Sequence, residues 1–460
     1  MTSPTPDNAR DVALLACTDT TGHVTAHLDR LLASASLSPA DRGLARELAL
    51  GLTRRLRTCR SIIRKFLKRP NLKLPKPVDT ILDLAVYQLI LLDRIPAFAA
   101  INEAVNQVGR YRRPKMRGMV NGVLRSIQRS MGQPQEGVCP MQPEAVPIDA
   151  THWVKLDRAV MPDPAKLPGA WLSSAYSLPD ELVDRWVAQA GSAETAQAWC
   201  AHTITRAPLI ARVNSLRADV ATVLESLAEQ GVASRPHENG LSVVLDDSRT
   251  LTELAVFQAG LIQPQDPTAT AVVEALDPKP GMTVLDLCAS PGTKTTHIAE
   301  RMNNTGRIIA CDINEEKLSR IRDNADRMGI DIIETLHTEQ AGGLELESFD
   351  CILADVPCSN TGVLARRAEA RWHFDEKSLR QLAEDQKFLA AMAGRFLAPG
   401  GKMVYSTCSI EPEENRQVVR HADRHDPGLH LQKHTTTTPA GADDATRWHD
   451  GGFCAILTRG

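Results

Sequence analysis

From residue 266 onward, short apolar segments alternate with amphipathic helical segments, and this alternation constrains the fold more than any other feature of the sequence. The helical segments place apolar residues three or four positions apart, whereas the apolar segments have the length of buried strands. Strands that alternate with helices build a doubly wound, mostly parallel sheet. We therefore expect a Rossmann-like α/β domain with strands in MTVLDLCA, RIIACDI, IDIIETL, FDCILADV, GKMVYSTCS and GGFCAILTRG.

Three further segments precede this domain and make the protein multidomain. Residues 8–130 carry apolar residues at helical spacing, interrupted at proline and glycine, which predicts an all-α unit. The periodicity fades over 131–170, a stretch rich in proline and glutamine that is typical of a linker or an irregular connection. Residues 171–257 open with a helix and continue as strand, helix and strand, which indicates a small α+β segment. The α/β domain then takes residues 258–460.

Charge is distributed unevenly along the chain. The net charge is −3, yet residues 51–130 hold 18 Lys and Arg against 4 Asp and Glu. A basic segment beside an acidic remainder is typical of a protein that binds nucleic acid. The alternative is a solvated helical face without a partner. We expect the helical domain and the small α+β segment to bind RNA.

The pattern of the ten cysteines indicates free thiols in a reducing environment. None belongs to a Cys-x-x-Cys pair, so the spacing of a zinc site is missing and we expect no metal. The N-terminal residues lack the basic and apolar regions of a secretion signal. The longest apolar run, residues 84–92, is far shorter than the ~20 residues of a membrane span. We expect a cytoplasmic protein that does not cross a membrane.

Three polar loops follow strands of the predicted α/β domain. Ligands of doubly wound sheets bind at the carboxyl ends of the strands, where the strand order reverses. With the strand order 3-2-1-4-5, the loops 288–294, 355–362 and 406–415 converge at one cleft. Cys358 and Cys408 then reach this cleft from adjacent strands, with small polar neighbours that buried structural cysteines rarely have.

The first of these loops, CASPGTK, lacks both the dinucleotide-binding and the P-loop glycine patterns. Its backbone amides near a helix N-terminus suit a cofactor whose charge is a single carboxylate, as in S-adenosylmethionine. An ordinary turn between strand and helix is the alternative. Asp312 ends the second strand, where a carboxylate typically binds ribose hydroxyls, although it has the position of a helix cap that Asn314 also offers.

Two thiols beside a methyl donor suit one particular reaction. A thiolate that adds to carbon 6 of a pyrimidine makes carbon 5 nucleophilic enough to attack a methyl sulfonium. Asp355 is placed to hold the ring nitrogen and the exocyclic amine by hydrogen bonds. The base must be unstacked to reach the cleft, so we expect single-stranded or extruded substrate. A redox pair is the alternative, which a reducing cytoplasm disfavours.

Four motifs resemble those of the Sun-type RNA (cytosine-5) methyltransferases: DLCASPGTKT, ACDIN, LADVPCSNTGVLARRAEARW and YSTCSIEPEEN. The segments ELALGLTRRL, LAVYQLILLDRIPAFAAINEAV and MVNGVLRSI resemble a NusB-type RNA-binding helical domain, and ARVNSL and GLIQPQD resemble the module between them. The resemblance covers nearly the whole chain apart from residues 131–170.

The resemblance implies a role for each motif. Cys408 would be the nucleophile, Cys358 would assist release of the product, and Asp355 would contact the target base and the cofactor region. The substrate would be 16S ribosomal RNA, free or partly assembled, and the enzyme a monomer. S-adenosylmethionine would be bound by Asp312 and by the loop residues Cys288, Ala289, Ser290, Pro291, Gly292, Thr293 and Lys294.

The motifs depart from the family pattern at some positions. Thr293 replaces a second glycine, which reduces backbone freedom, and Ala368 replaces a proline. Three other functions compete with a methyltransferase of RNA. They are an RNA-binding or antitermination-like factor with a lapsed catalytic domain, a nicotinamide-dependent oxidoreductase, and a DNA methyltransferase. The two intact cysteine motifs argue against the first, and the missing glycine pattern argues against the second.

Overall fold

The computed structural model describes residues 8–18, 24–70, 72–246 and 251–460. The chain forms two compact units, one of residues 1–206 with 364–373 and the other of residues 207–363 with 374–460. Among the described helices, none has the length and apolar character needed to cross a membrane.

The first unit begins with six helices, which confirms the all-α prediction for this part of the sequence. Ser38 caps the longest of them by accepting a hydrogen bond from the backbone amide of Asp41, and Pro39 takes the first helical position. The helices are α1 (Ala9–Thr18), α2 (Val24–Ser34), α3 (Pro39–Phe66), α4 (Val78–Leu91), α5 (Ala97–Arg110) and α6 (Arg117–Ser130).

The stretch that we expected to be a linker or irregular connection, residues 131–170, instead contains a small antiparallel sheet. Its strands are β1 (Met131–Glu136), β2 (Ala145–Pro147) and β3 (His152–Leu156), in the order β1-β3-β2. Strand β1 is almost entirely exposed and contains proline and glutamine, so it shows no apolar alternation by which a strand is recognised. Three helices complete this part of the unit: α7 (Pro168–Tyr176), α8 (Asp180–Ala190) and α9 (Ala193–Ile204).

The second unit opens with a four-stranded antiparallel sheet in the order β5-β6-β4-β7. The strand, helix and strand expected in this region are present. Strand β7 lies in the GLIQPQD motif, so the small sheet extends past residue 257, where we expected it to end. Its elements are β4 (Leu209–Val213), α10 (Val220–Glu229), β5 (Ser234–Pro236), β6 (Ser242–Leu245), α11 (Ala255–Gln258) and β7 (Ile262–Pro264).

The larger sheet of this unit has seven strands in the order β10-β9-β8-β11-β12-β14-β13. The first five are parallel and have the predicted order 3-2-1-4-5, whereas β14 is antiparallel to both of its neighbours. The strands are β8 (Thr283–Asp286), β9 (Arg307–Asp312), β10 (Ile333–His337), β11 (Phe349–Asp355), β12 (Leu397–Thr407), β13 (Leu429–Thr437) and β14 (Gly452–Arg459). The helices are α12 (Pro267–Leu276), α13 (Thr293–Arg301), α14 (Glu315–Met328), α15 (Ala370–His373, in the first unit), α16 (Glu376–Phe396) and α17 (Arg416–His425).

A buried ion pair joins the small sheet to the helix that follows β8. Arg212 on β4 and Glu300 on α13 are each about 1% exposed, with Nη2 and Oε1 2.5 Å apart. Arg212 Nη1 also donates to the carbonyl of Thr293, the first residue of α13. Because Thr293 lies in the loop predicted to bind the cofactor, this pair fixes one side of that loop.

We expect Arg212→Met to lower the free energy of unfolding by about 3–5 kcal/mol, because the Glu300 carboxylate is left buried without its partner. Urea denaturation monitored by circular dichroism measures the effect. The double variant Arg212→Met, Glu300→Leu removes both charges and should recover most of the loss. A single variant as stable as the wild type would show that the pair does not hold the two elements together.

Candidate active site

The register between β11 and β12 brings the two cysteine loops together. The strands are parallel neighbours, and Asp355, at the end of β11, lies opposite Ser406 on β12. Cys358 follows three residues after Asp355, and Cys408 follows two residues after Ser406. Their Sγ atoms lie 3.2 Å apart. The structure thus confirms that both cysteines reach one site.

Asn360 orients the two thiols. Its side-chain amide donates to the carbonyl of Cys358 at 2.8 Å, and its Oδ1 accepts a hydrogen bond from Cys408 Sγ at 3.2 Å. The backbone of Asn360 is left-handed, with φ of 61°, a conformation that asparagine adopts more readily than most residues. The hydrogen bond with Cys408, together with burial, raises the pKa of Cys358 well above its usual value.

Asp355 and Lys294 form an ion pair beside the cysteines. Lys294 Nζ lies 2.6 Å from Asp355 Oδ2, and Ser406 Oγ donates to Asp355 Oδ1 at 2.5 Å. Burial lowers the pKa of Lys294, but the charge and hydrogen bond of Asp355 outweigh it, and the resulting pKa lies above the ordinary value. Lys294 also interacts electrostatically with Cys408, so its ammonium group is placed to stabilise a thiolate there.

The loop after β8 approaches α14 closely, at a point where only glycine fits. Gly292 has φ of 93°, and a Cβ added there would lie 3.1 Å from the Cα atom of Ile321. Thr293 is the first residue of α13, where a side chain is tolerated, so the missing second glycine causes no backbone strain. Of the other residues predicted to bind the cofactor, Cys288, Ala289, Ser290 and Pro291 connect β8 to this helix. Lys294 is the second residue of the helix itself.

Three carboxylates surround this loop. Asp312 ends β9, and Asn314 rather than Asp312 caps helix α14, which resolves the alternative left open by the sequence. Asp286 ends β8 and is buried, and its pKa is raised to about 7 by burial. Its Oδ2 accepts from Thr295, whereas its Oδ1 has no hydrogen-bond partner in the described part of the chain. Burial raises the pKa of the Cys288 thiol, and the negative charges of Asp286, Asp355 and Asp312 raise it further.

Comparison with known proteins shows which families the chain matches. Residues 273–449 match the family described as 16S rRNA methyltransferase RsmB/F, residues 7–129 match the NusB family, and residues 178–250 match the RsmF/B-like ferredoxin-like domain. A Bacillus subtilis protein named probable ribosomal RNA small subunit methyltransferase B is 34% identical over 88% of this chain and 86% of its own. The chain belongs to the RsmB/F family.

Two further relatives agree with this membership. Ribosomal RNA small subunit methyltransferase B from Yersinia pseudotuberculosis is 31% identical over 90% of both chains. The solved structure of a methyltransferase homologue from Pyrococcus horikoshii has a TM-score of 0.53 and 27% identity over 63% of this chain and 97% of its own. This RsmB/F-family protein is therefore an enzyme that uses S-adenosylmethionine as its methyl donor.

The residues at these strand ends fit this cofactor. S-adenosylmethionine carries a sulfonium and an ammonium charge, which suit a site bordered by the carboxylates of Asp286, Asp312 and Asp355. The buried Asp286 Oδ1 can accept a hydrogen bond from the cofactor, since it has no partner among the described residues. The loop 288–294 and Asp312 would hold the cofactor, which when bound supplies an electrophilic methyl group on sulfur. The amides at the start of α13 suit its carboxylate.

Glu414 joins the two cysteine loops, and the sequence analysis did not single it out. Its carboxylate is fully buried and accepts hydrogen bonds from the amide and hydroxyl of Ser359 at 2.7 and 2.5 Å. Ser409 Oγ donates to it at 2.5 Å and Gln386 Nε2 at 3.0 Å. Ser359 follows Cys358 and Ser409 follows Cys408, so one carboxylate fixes the residue after each cysteine. An acidic residue two positions before a helix gives no sequence signal for such burial.

We expect Glu414→Gln to lower kcat for methyl transfer by about 10- to 150-fold, because a hydrogen bond to a charged group contributes about 1.5–3 kcal/mol. The KM for S-adenosylmethionine should change little, since Glu414 touches neither Asp312 nor the loop 288–294. Steady-state kinetics with labelled cofactor measures both constants.

Glu384→Gln is the matched control for this substitution. Glu384 is exposed on α16 and pairs with Lys387, so the same chemical change there should leave kcat unaltered. A Glu414→Gln enzyme with wild-type kcat would show that the carboxylate does not position the cysteines. An equal rise in the KM for the cofactor would instead indicate a general loss of structure.

Proposed function

We propose that this enzyme methylates carbon 5 of a cytosine in 16S ribosomal RNA through a covalent bond between Cys408 and the pyrimidine ring. The observation that carries the proposal is the 3.2 Å separation of the Cys358 and Cys408 Sγ atoms beside the Lys294–Asp355 ion pair. Methylation at oxygen or at an exocyclic nitrogen needs no thiol, because those atoms are nucleophilic themselves. Carbon 5 of cytosine is not, so it needs a nucleophile that first adds to the ring.

Cys408 is the nucleophile in this proposal. Its thiolate adds to carbon 6, and the electron pair of the 5,6 double bond becomes available at carbon 5. Carbon 5 then forms a bond with the methyl carbon, whose bond to the sulfonium sulfur breaks. Lys294 stabilises the thiolate before the addition, since its ammonium group interacts electrostatically with Cys408.

Asp355 binds the target base. Its carboxylate accepts hydrogen bonds from Lys294 and Ser406, and both keep it oriented at the end of β11. In this position it is suited to accept hydrogen bonds from the exocyclic amine of cytosine and from the ring nitrogen once that nitrogen has gained a proton. These two groups distinguish cytosine from uracil, so Asp355 contributes to base specificity as well as to binding.

Cys358 completes the reaction. After methyl transfer, a base must take the carbon 5 proton, and the electrons of the broken carbon–hydrogen bond then restore the 5,6 double bond and expel the Cys408 thiolate. Cys358 is half-buried beside Cys408 and assists this release. Its raised pKa favours the protonated thiol in the free enzyme, which keeps the second sulfur from competing as nucleophile.

The substrate and its state are further parts of the proposal. The family description names 16S rRNA, and the relatives from Bacillus and Yersinia are named for the small subunit RNA. The basic helices of residues 8–130 would bind RNA phosphates, and the small α+β segment would shape the RNA path. We propose that a monomer acts on unassembled or partly assembled RNA, where an unpaired cytosine can enter the cleft.

We expect Cys408→Ala to abolish methyl transfer to 16S rRNA and Cys358→Ala to accumulate a covalent enzyme–RNA adduct. Without Cys408 no bond forms to carbon 6, and without Cys358 the bond forms but is not released. Denaturing gel electrophoresis under turnover conditions detects the adduct as a shifted band.

Cys351→Ala is the control, since this thiol is buried in β11 and contacts Met282 rather than the cleft. It should methylate RNA without a shifted band. Robust activity of Cys408→Ala would reject the nucleophile assignment, and a Cys358→Ala enzyme without adduct would reject the release role. Wild-type protein that neither binds S-adenosylmethionine in calorimetry nor methylates cytosine would favour the lapsed RNA-binding factor.

A further inference from the structure

An aromatic and basic cavity lies in the first unit, to which Cys358 and Cys408 do not belong. It has a volume of about 380 Å³ and is bordered by Arg57, Arg60 and Arg64 on α3 and by Trp372 on α15. Trp372 is 38% exposed, which is unusual for so large an aromatic side chain. An exposed aromatic ring beside arginines is the arrangement by which proteins bind unpaired nucleotides.

Trp372 is held rigidly although its ring is exposed. Its indole N–H donates to the carbonyl of Thr53 at 2.9 Å. The preceding residue, Arg371, is fully buried and donates to six backbone carbonyls of the same unit, those of Arg54, Tyr176, Ser177, Thr203, Leu364 and Ala368. A ring fixed in this way loses little conformational entropy when a base stacks on it.

The arginines of the cavity carry more positive charge than their partners offset. Arg57 pairs with Asp180, and Arg60 pairs with Asp83. Burial raises the pKa of Asp83 to about 7, so this carboxyl offsets Arg60 incompletely near neutral pH. The Arg64 guanidinium makes no ion pair or hydrogen bond within the part of the chain that the structure describes.

The basic surface continues beyond the cavity. Arg60 and Arg64 also border a second cavity of about 690 Å³, to which Lys73 and Lys76 contribute. Asp79 and Asp83 also line this second cavity, so its basic side chains outnumber its acidic ones by four to two. Basic side chains in such excess suit a phosphate backbone.

We propose that the cavity at Trp372 is a subsite for one unpaired nucleotide of the RNA substrate, with its base stacked on the indole and its phosphates paired with Arg60 and Arg64. The proposal rests on the proposed function, since it takes the substrate to be RNA. It concerns binding alone: the subsite holds the RNA and takes no part in the transfer of the methyl group.

The test measures binding of unmodified 16S rRNA transcribed in vitro, by filter binding at several salt concentrations. We expect Trp372→Ala to weaken binding by about 5- to 150-fold, since stacking of one base contributes about 1–3 kcal/mol. Trp372→Phe keeps an aromatic face and should recover most of the affinity. Arg64→Ala should reduce the slope of log K against log salt by about 0.7, the value for one phosphate contact with a single strand.

Methyl transfer by the same variants separates a binding role from loss of structure. The KM for RNA should rise while kcat at saturating RNA and the affinity for S-adenosylmethionine stay unchanged. Phe98→Ala, which removes an exposed aromatic ring of α5 outside the cavity, is the control and should bind RNA normally.

The outcomes distinguish this inference from the proposed function. Wild-type affinity in both Trp372→Ala and Arg64→Ala would overturn the subsite, even where the wild type methylates cytosine. If Trp372→Ala fails to fold, Arg64→Ala decides, because an exposed arginine is not needed for packing. A wild type that methylates no cytosine yet loses RNA affinity in these variants would leave the subsite standing and reject the proposed function.

Discussion

The pairing of Asp355 with Ser406 across two parallel strands is the constraint on which the active site depends. Side chains alternate between the faces of a sheet, so a slip of one residue would move the whole set of β12 to the opposite face. The observed register brings the two cysteine loops to the same strand ends, where Glu414 can bond to both. The buried carboxylate then fixes Ser359 and Ser409, and through them the separation of the two sulfur atoms. Chemistry at the thiols is thus a consequence of strand pairing.

The sequence predicts these strands well because each is a short apolar run buried on both faces, and the strand order follows from the alternation with helices. It predicts the cysteines and Asp355 because they end strands. It does not reveal Glu414, since burial of a loop carboxylate depends on donors that lie up to 55 positions away in the chain. The sequence also does not reveal β13, whose residues are mostly exposed and polar, or the sheet at residues 131–156, whose first strand is almost entirely exposed.

Residues 364–373 pack in the first unit, although the residues before and after them in the chain belong to the second unit. By sequence this segment continues the motif that contains Cys358, and the resemblance assigns it to the methyltransferase domain. By packing it belongs to the first unit, because Arg371 is buried there against six carbonyls. Burial lowers the pKa of this guanidinium well below its usual value, and the carbonyl dipoles compensate for the water that it lost. The residues that follow the cysteine loop in the chain are therefore anchored in the helical first unit.

The central claim is that Cys408 forms a bond with the pyrimidine ring, and RNA that contains 5-fluorocytidine tests it most directly. Fluorine at carbon 5 cannot leave as the proton does, so the ring stays bonded to the enzyme after methyl transfer. Mass spectrometry of the digested complex then identifies the attached residue. The account predicts a methylated nucleotide on the peptide that contains Cys408. A nucleotide on Cys358, or full methylation of ordinary RNA without any adduct from the fluorinated substrate, would contradict it.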